Sequence, residues 1–155
     1  MIIQENFNKI KEAIEVFFNK LSFLAQINIS QKEENSLSVD VKTDEPQILI
    51  GERGETLYEI QHLLKLLVKK ITGSKDLIFI DLDINDYKKK KASYLKEMAC
   101  SVADEVVLTR KEKTLPPMSA YERRIIHSEL AGRDNIITES VGEEPERKVV
   151  IRPSL

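Results

Sequence analysis

The chain has very few thiol, imidazole and indole side chains. Its 155 residues include one cysteine, Cys100, two histidines, His62 and His127, and no tryptophan. A single thiol cannot form an internal disulfide, and this set of Cys and His residues cannot supply the four ligands of a structural zinc site. A protein without disulfides suits the reducing cytoplasm, where we expect this chain to reside.

The chain also lacks long apolar runs and the motifs of common enzymes. Its N-terminus has neither the basic start nor the unbroken apolar core of a signal peptide, and charged residues from Lys9 to Glu15 interrupt any membrane span. No Walker loop or two-metal carboxylate cluster is present, and Arg123 with His127 lacks a paired carboxylate at the spacing that catalysis would need. We therefore expect a protein that is not an enzyme, does not insert into membranes and uses no ATP, flavin or metal cofactor.

The net charge is small, but the charges are unevenly distributed. The chain has 24 Lys and Arg residues and 26 Asp and Glu residues, which gives a net charge of −2. Residues 1–50 contain five lysines and eight acids, whereas residues 88–133 contain eleven basic and six acidic residues. The basic middle of the chain is compatible with a nucleic-acid partner, although the run from Lys88 to Lys91 is by itself more typical of a solvated helix face.

The first half of the chain predicts the element order α-β-β-α-α-β. Alternation around Glu34-Asn35-Ser36 predicts a hairpin, and the acids before Pro46 offer an N-capping carboxylate for a short helical turn over residues 47–50. A helix then runs to Gly73, and a strand follows over residues 77–84. The first helix, over residues 4–25, has an apolar stripe that favours core packing over a coiled-coil arm. That stripe consists of Ile3, Phe7, Ile10, Ile14, Phe17, Leu21 and Leu24.

Two glycines three residues apart, Gly51 and Gly54, join the short helical turn to the next helix. Glycine tolerates positive φ and has no Cβ, so it lets a sugar-phosphate backbone approach the main chain closely. The N–H groups that begin the following helix would face the same place, and Arg53 would add a cation. Because the spacing alone occurs often by chance, the flanking helices give this loop its significance.

The second half begins with a helical pattern over residues 86–113. After two prolines, Ser119 and Glu122 form the pattern of a capping box, which predicts a second helix. Arg123 and His127 lie one turn apart on that helix, where they could donate to phosphate oxygens or remain an ordinary surface pair. The segment Glu143-Glu144-Pro145 is typical of a solvated hairpin turn, and residues 149–151 predict the returning strand.

These motifs resemble two known domains in sequence. The loop Gly51-Glu52-Arg53-Gly54 in its α-β-β-α-α-β context resembles a type II KH domain, whose Gly-X-X-Gly loop binds single-stranded nucleic acid. The segments Tyr121-Glu122-Arg123-Arg124, His127 and 137–153 resemble the single-stranded nucleic-acid-binding R-three-H domain. Together they resemble the bacterial Jag family, also called the SpoIIIJ-associated or KhpB family, over nearly the full chain.

The resemblance implies an α+β protein of two small domains: a KH domain over residues 1–86 and an R-three-H domain over residues 87–155, with a small sheet packed on helices. It implies binding of single-stranded RNA, or single-stranded DNA, in post-transcriptional control linked to cell elongation or envelope growth. Many members have a further N-terminal domain before the KH half, whereas this sequence begins at the first KH helix, so any function that rests on that domain is in doubt here. The implied binding residues are Gly51, Arg53, Gly54, Arg123, Arg124, His127 and Arg147.

One residue departs from the family pattern and leaves a second function open. The position of Glu52 is usually lysine in the family, and Glu52 with Glu55 would repel phosphate at close range. The alternative is an adaptor, in which the KH half docks a small single-KH protein or a second copy of this chain and RNA binding is weak. Tyr87 and Tyr121 could stack on bases, but a tyrosine beside a helix start is more often a half-buried anchor.

Overall fold

A computed structural model describes residues 2–154, with side chains for residues 5–154, so the predicted role of Ile3 in the apolar stripe lies outside the described residues. The chain divides into two compact units, residues 1–88 and residues 89–155. Each unit has its own hydrophobic core and its own three-stranded sheet. Within the described part of the chain, no helix is long and apolar enough to cross a membrane.

The first unit confirms the predicted order α-β-β-α-α-β. Its sheet has the order β1-β2-β3, with β1 and β2 antiparallel and β2 and β3 parallel. A 3-10 turn over Glu52–Gly54 lies between α2 and α3. The elements are α1 (Ile2–Lys20), β1 (Ala25–Glu33), β2 (Ser36–Thr43), α2 (Pro46–Ile50), α3 (Glu55–Thr72) and β3 (Phe79–Ile84).

The core of the first unit lies between the sheet and the helices. Helices α1 and α3 bury residues spaced three and four apart because each has one apolar face. The predicted stripe is wrong at its end: α1 stops at Lys20, Ser22 has a φ of 60°, and Leu24 is 90% exposed. The predicted N-capping carboxylate of α2 is also absent, since the N-cap residue Glu45 makes no side-chain cap bond. The buried residues of α1 and α3 are Ile10, Ile14, Phe18, Leu57, Ile60, Leu64 and Val68.

The second unit confirms a small sheet packed on helices. Its strands are antiparallel in the order β4-β6-β5. The first helix ends at Thr109 rather than near Lys113, because Arg110 has a φ of 57° and Lys113 begins a strand paired with Ile151. The elements are α4 (Tyr87–Thr109), β4 (Lys113–Thr114), α5 (Ala120–Leu130), β5 (Ile136–Val141) and β6 (Lys148–Pro153).

The predicted capping box at the start of α5 is confirmed. The Ser119 hydroxyl accepts the Glu122 backbone N–H at 3.3 Å, and a Glu122 carboxylate oxygen accepts the Ser119 N–H at 2.8 Å. This reciprocal pair fixes the first residue of α5. It also sets which residues of α5 face the sheet, where Ile126 and Leu130 are buried.

Candidate nucleic-acid interface

The glycine loop has a backbone that ordinary residues rarely adopt. Gly51 has φ 72° and ψ −177°, a region that is essentially restricted to glycine, and Gly54 has φ 84°. Arg53 between them also has a positive φ, of 53°. The Gly51 N–H donates to the Gln47 carbonyl at 2.9 Å and ends α2, and α3 begins at Glu55. The loop therefore leads directly to the N-terminal end of an 18-residue helix.

The structure brings the predicted loop residues together at the surface of the first unit. Glu52 and Arg53 are exposed, and Arg53 has no ion pair with any residue whose side chain is described. Gly54 is buried beside two aromatic rings. A Cβ at this position would lie 3.0 Å from the Tyr87 ring and 3.5 Å from the Tyr58 ring. Tyr87 is therefore a half-buried anchor beside the loop, as its place at a helix start suggested.

Lys88, behind this loop, is not part of a solvated face as the sequence suggested. Its ammonium donates to Gln61 Oε1 at 2.8 Å and to Asp81 Oδ1 at 2.9 Å, and it lies 5.4 Å from the centre of the Tyr58 ring. Burial alone would raise the pKa of Asp81, but the ammonium groups of Lys88 and Lys32 lower it below its usual value. Lys88 thus joins the first turn of α4 to α3 and β3.

Arg123, the first predicted residue of the R-three-H pattern, is buried. Its side chain is only 8% exposed, and its guanidinium donates to the Met118 carbonyl at 2.5 Å and to Glu144 Oε1 at 2.7 Å. The Met118 N–H in turn donates to the Arg147 carbonyl at 3.1 Å. Arg123 therefore connects the start of α5 to the loop before β6. Glu144 is its ion-pair partner, so the expectation of a merely solvated carboxylate at this turn is wrong.

His127 lies one turn further along α5 and contacts β5. Its Nδ1 is 2.7 Å from the Thr138 hydroxyl oxygen, and its Nε2 is 2.7 Å from the Ser140 hydroxyl oxygen. A neutral ring donates through one nitrogen and accepts through the other, and hydroxyl groups can serve both roles. Burial, and then the charge of Arg123, lower the pKa of His127 below 6.5. The ring is therefore neutral at pH 7.

This lowered pKa predicts a loss of stability in mild acid. Below pH 6.5 the unfolded chain binds a proton at His127 more readily than the folded chain, so the free energy of unfolding should fall as the pH drops below that value. We expect urea midpoints of the wild type to decline between about pH 7.5 and 5.5 more steeply than those of the His127→Gln variant. Parallel declines would show that protonation of His127 does not oppose folding.

Arg124 and Arg147 are the exposed cations of the predicted site. Neither guanidinium has a hydrogen-bond or ion-pair partner among residues 5–154. Arg147 follows the same loop that Arg123 holds through Glu144. Arg124 is adjacent to Arg123 in the sequence but lies on a different side of α5, where it lines a groove together with Lys96 of α4. Arg123 and His127 therefore both contact internal partners, and the exposed Arg124 and Arg147 belong to the same predicted site.

Sequence reasoning missed the partners of these residues. Glu144, Thr138 and Ser140 lie 11 to 21 residues from the α5 side chains that they contact. The sequence predicted the hairpin turn that contains Glu144, but it did not show which face of α5 packs on this hairpin. Residues 5–154 contain no group of three or more His, Cys, Asp or Glu side chains that could hold a metal ion.

Comparison with known proteins matches both halves of the chain. The family model of the KH domain matches residues 9–92, and that of the R-three-H domain matches residues 93–153. A curated relative from Clostridium symbiosum, named RNA-binding protein KhpB, is 37% identical over 145 residues, which cover 93% of this chain and 64% of the relative.

Two further relatives carry the same name. The Bacillus subtilis protein is 32% identical over 123 residues, covering 78% of this chain and 58% of the relative. The Lactiplantibacillus plantarum protein is 35% identical over 114 residues, covering 74% of this chain and 35% of the relative. The chain thus spans less than two thirds of the length of each of these three relatives.

Proposed function

Because the chain belongs to the KhpB (Jag) family, with a KH domain followed by an R-three-H domain, we propose that it is a non-catalytic protein that binds single-stranded RNA. The observation that carries this proposal is the Gly51–Gly54 loop at the start of α3, whose two central residues, Glu52 and Arg53, are exposed. Its two positive-φ glycines form the turn that leaves Glu52 and Arg53 exposed, and in KH domains a Gly-X-X-Gly loop binds single-stranded nucleic acid. We also propose that residues 1–86 and 87–155 act as separate domains.

Each domain has its own proposed contacts with RNA. In the KH domain, the N-terminal end of α3 and the exposed Arg53 would face phosphate oxygens beside Gly51 and Gly54. In the R-three-H domain, Arg124 and Arg147 would supply further phosphate contacts. Arg123 and His127 belong to the same proposed site, where their contacts hold α5 against β5 and the loop before β6.

The cellular role is proposed from the same family membership. The relatives are named RNA-binding proteins, and we propose that this chain is a bacterial post-transcriptional regulator linked to cell elongation or envelope growth. We place it in the cytoplasm, where RNA is available. Because internal partners engage both Arg123 and His127, we propose that these residues position the exposed Arg124 and Arg147 and do not catalyse a reaction.

Fluorescence anisotropy with a labelled, mixed-sequence single-stranded RNA tests the function. We expect wild-type affinity to fall steeply with salt, because each neutralised phosphate of a single strand contributes about −0.7 to the slope of log K against log salt. The Arg124→Ala/Arg147→Ala variant removes exposed cations without disturbing an ion pair, so its slope should be shallower by about 1.4. A Lys11→Ala variant, altered on the exposed side of α1, serves as a control for nonspecific charge.

The outcomes of this titration separate clearly. If the double variant keeps the wild-type slope, the proposed R-three-H contacts are wrong. If the wild type fails to bind at about 50 mM salt, RNA binding itself is contradicted.

A second candidate function is that of an adaptor, favoured by Glu52. This carboxylate is exposed on the loop beside Arg53 and opposes phosphate at close range. In this alternative, the KH domain would dock a small single-KH protein or a second copy of the chain. Substitution of Glu52 distinguishes the two functions, as argued below.

A further inference from the structure

A groove between α4 and α5 contains Arg124 but otherwise has no role in the contacts proposed so far. Its volume is about 380 Å³ and it is lined by Lys96 of α4 and by residues of α5. This volume lies at the lower end of the range for small-molecule sites, about 300–1,000 Å³. The α5 residues that line it are Tyr121, Arg124, Ile125, Ser128 and Glu129. The groove lies entirely within the second unit.

One side of α5 supplies most of the groove. Tyr121, Arg124 and Ser128 follow one another at spacings of three and four residues, which places them along a single helix face. All three are exposed, and Tyr121 is 52% exposed. About half of Tyr121 is therefore buried, as its place at a helix start suggested, and about half is exposed. Its ring is available to a ligand that enters the groove.

The charges in the groove leave one cation available. Lys96 and Glu129 form a long ion pair at 3.9 Å, and the other Glu129 oxygen lies 3.9 Å from the Cys100 sulfur. Arg124 has no such partner in the part of the chain whose side chains are described. The lining thus combines an exposed aromatic ring, an unpaired guanidinium, a hydroxyl and a carboxylate held in place.

We propose that this groove binds one unpaired nucleotide of the RNA, with its base stacked on Tyr121 and its phosphate bound by Arg124. An aromatic face and an adjacent guanidinium are the elements with which proteins bind unpaired bases. The inference rests on the proposed RNA-binding function and adds a base-contacting residue to it. It also gives Arg124 a task separate from that of Arg123, which faces the loop before β6.

The geometry favours a single nucleotide over a continuous duplex. A base must leave its stack to lie on the Tyr121 ring, which a paired strand does not permit without unpairing. The Glu129 carboxylate, which pairs with Lys96, can accept N–H groups from a base edge, and Arg124 supplies the one available cation for a phosphate. The groove is therefore suited to one base and one phosphate.

Anisotropy titrations of the full chain test this proposal with the same single-stranded RNA. Stacking on an aromatic side chain contributes enough that Tyr121→Leu should weaken binding about fivefold or more. Because no charge is removed, the salt slope should stay unchanged, whereas Arg124→Ala should make it shallower by about 0.7. Tyr121→Phe retains the ring and should bind like the wild type. Tyr94→Leu is the matched control, since Tyr94 is 59% exposed on α4 and does not line the groove.

Three results would overturn the proposal, and they are distinguishable. If the wild type binds and Tyr121→Leu behaves like Tyr94→Leu, the groove does not hold a base, while RNA binding stands. If Tyr121→Phe is as weak as Tyr121→Leu, the hydroxyl rather than the ring is responsible, and stacking is wrong. If the wild type does not bind RNA at low salt, the proposed function fails and the inference fails with it.

Discussion

Gly51→Ala should lower the free energy of unfolding by about 3 kcal/mol, with conformational strain and steric overlap each contributing. Gly51 has φ 72° and ψ −177°, so any side chain there is strained. A Cβ at Gly51 would also overlap the Thr56 hydroxyl, and it would lie 2.7 Å from the Thr56 Cβ and 3.0 Å from the Thr56 backbone nitrogen. Rotation of the Thr56 side chain cannot relieve the contacts with its Cβ and backbone, so the loop itself must move.

Other glycines of the chain provide the controls for this prediction. Gly73 has φ 61° at the C-terminal end of α3, but a Cβ there would meet nothing within 4 Å. Gly73→Ala should therefore lower the free energy of unfolding through conformational strain alone, by about 1 kcal/mol. Gly132 has neither a positive φ nor a neighbour within 4 Å, so Gly132→Ala should be nearly neutral. Urea unfolding followed by circular dichroism measures all three variants. Equal losses of unfolding free energy for Gly51→Ala and Gly73→Ala would show that Thr56 moves away from the new Cβ without strain.

The fold was largely predictable because its signals are local. Glycine spacing, helical periodicity and the Ser119 capping box each act within a few residues, and each appears where it was expected. Element ends were less predictable. The apolar stripe of α1 continues through Leu21 and Leu24, but the chain turns at Ser22 and leaves Leu24 exposed. Periodicity shows which residues could face a core, and it does not show where the core ends.

The candidate site was only partly predictable, because the partners of its charged residues are distant in the chain. The spacing of Arg123 and His127 correctly places them on one side of α5, and His127 is close enough for the Arg123 charge to lower its pKa. Spacing could not show that Glu144 approaches that side from the loop before β6. The same limitation applies to Lys88, whose partner Gln61 is 27 residues away. In both cases a presumed exposed cation is engaged inside its own unit.

Glu52→Lys should raise the affinity for single-stranded RNA about tenfold at moderate salt, if the loop contacts the phosphate backbone. Two unit charges at about 4 Å interact by about 1 kcal/mol in water, and this substitution changes the charge by two units. Screening over a Debye length of about 8 Å at physiological ionic strength reduces the gain but leaves most of it at contact distance. Because Glu52 is exposed, its replacement should not disturb the fold.

The matched control is Glu12→Lys, which makes the same change in net charge at an exposed position of α1. If only Glu52→Lys gains affinity for RNA, the RNA backbone lies at the loop, because long-range attraction would raise the affinity of both variants equally. An equal affinity for the two variants would contradict RNA contact at the loop and favour the adaptor. In that case the negative charge of Glu52 does not affect RNA affinity, because no phosphate approaches it. The Gly51 backbone would then serve the turn between α2 and α3, and RNA binding would rest on the R-three-H domain alone.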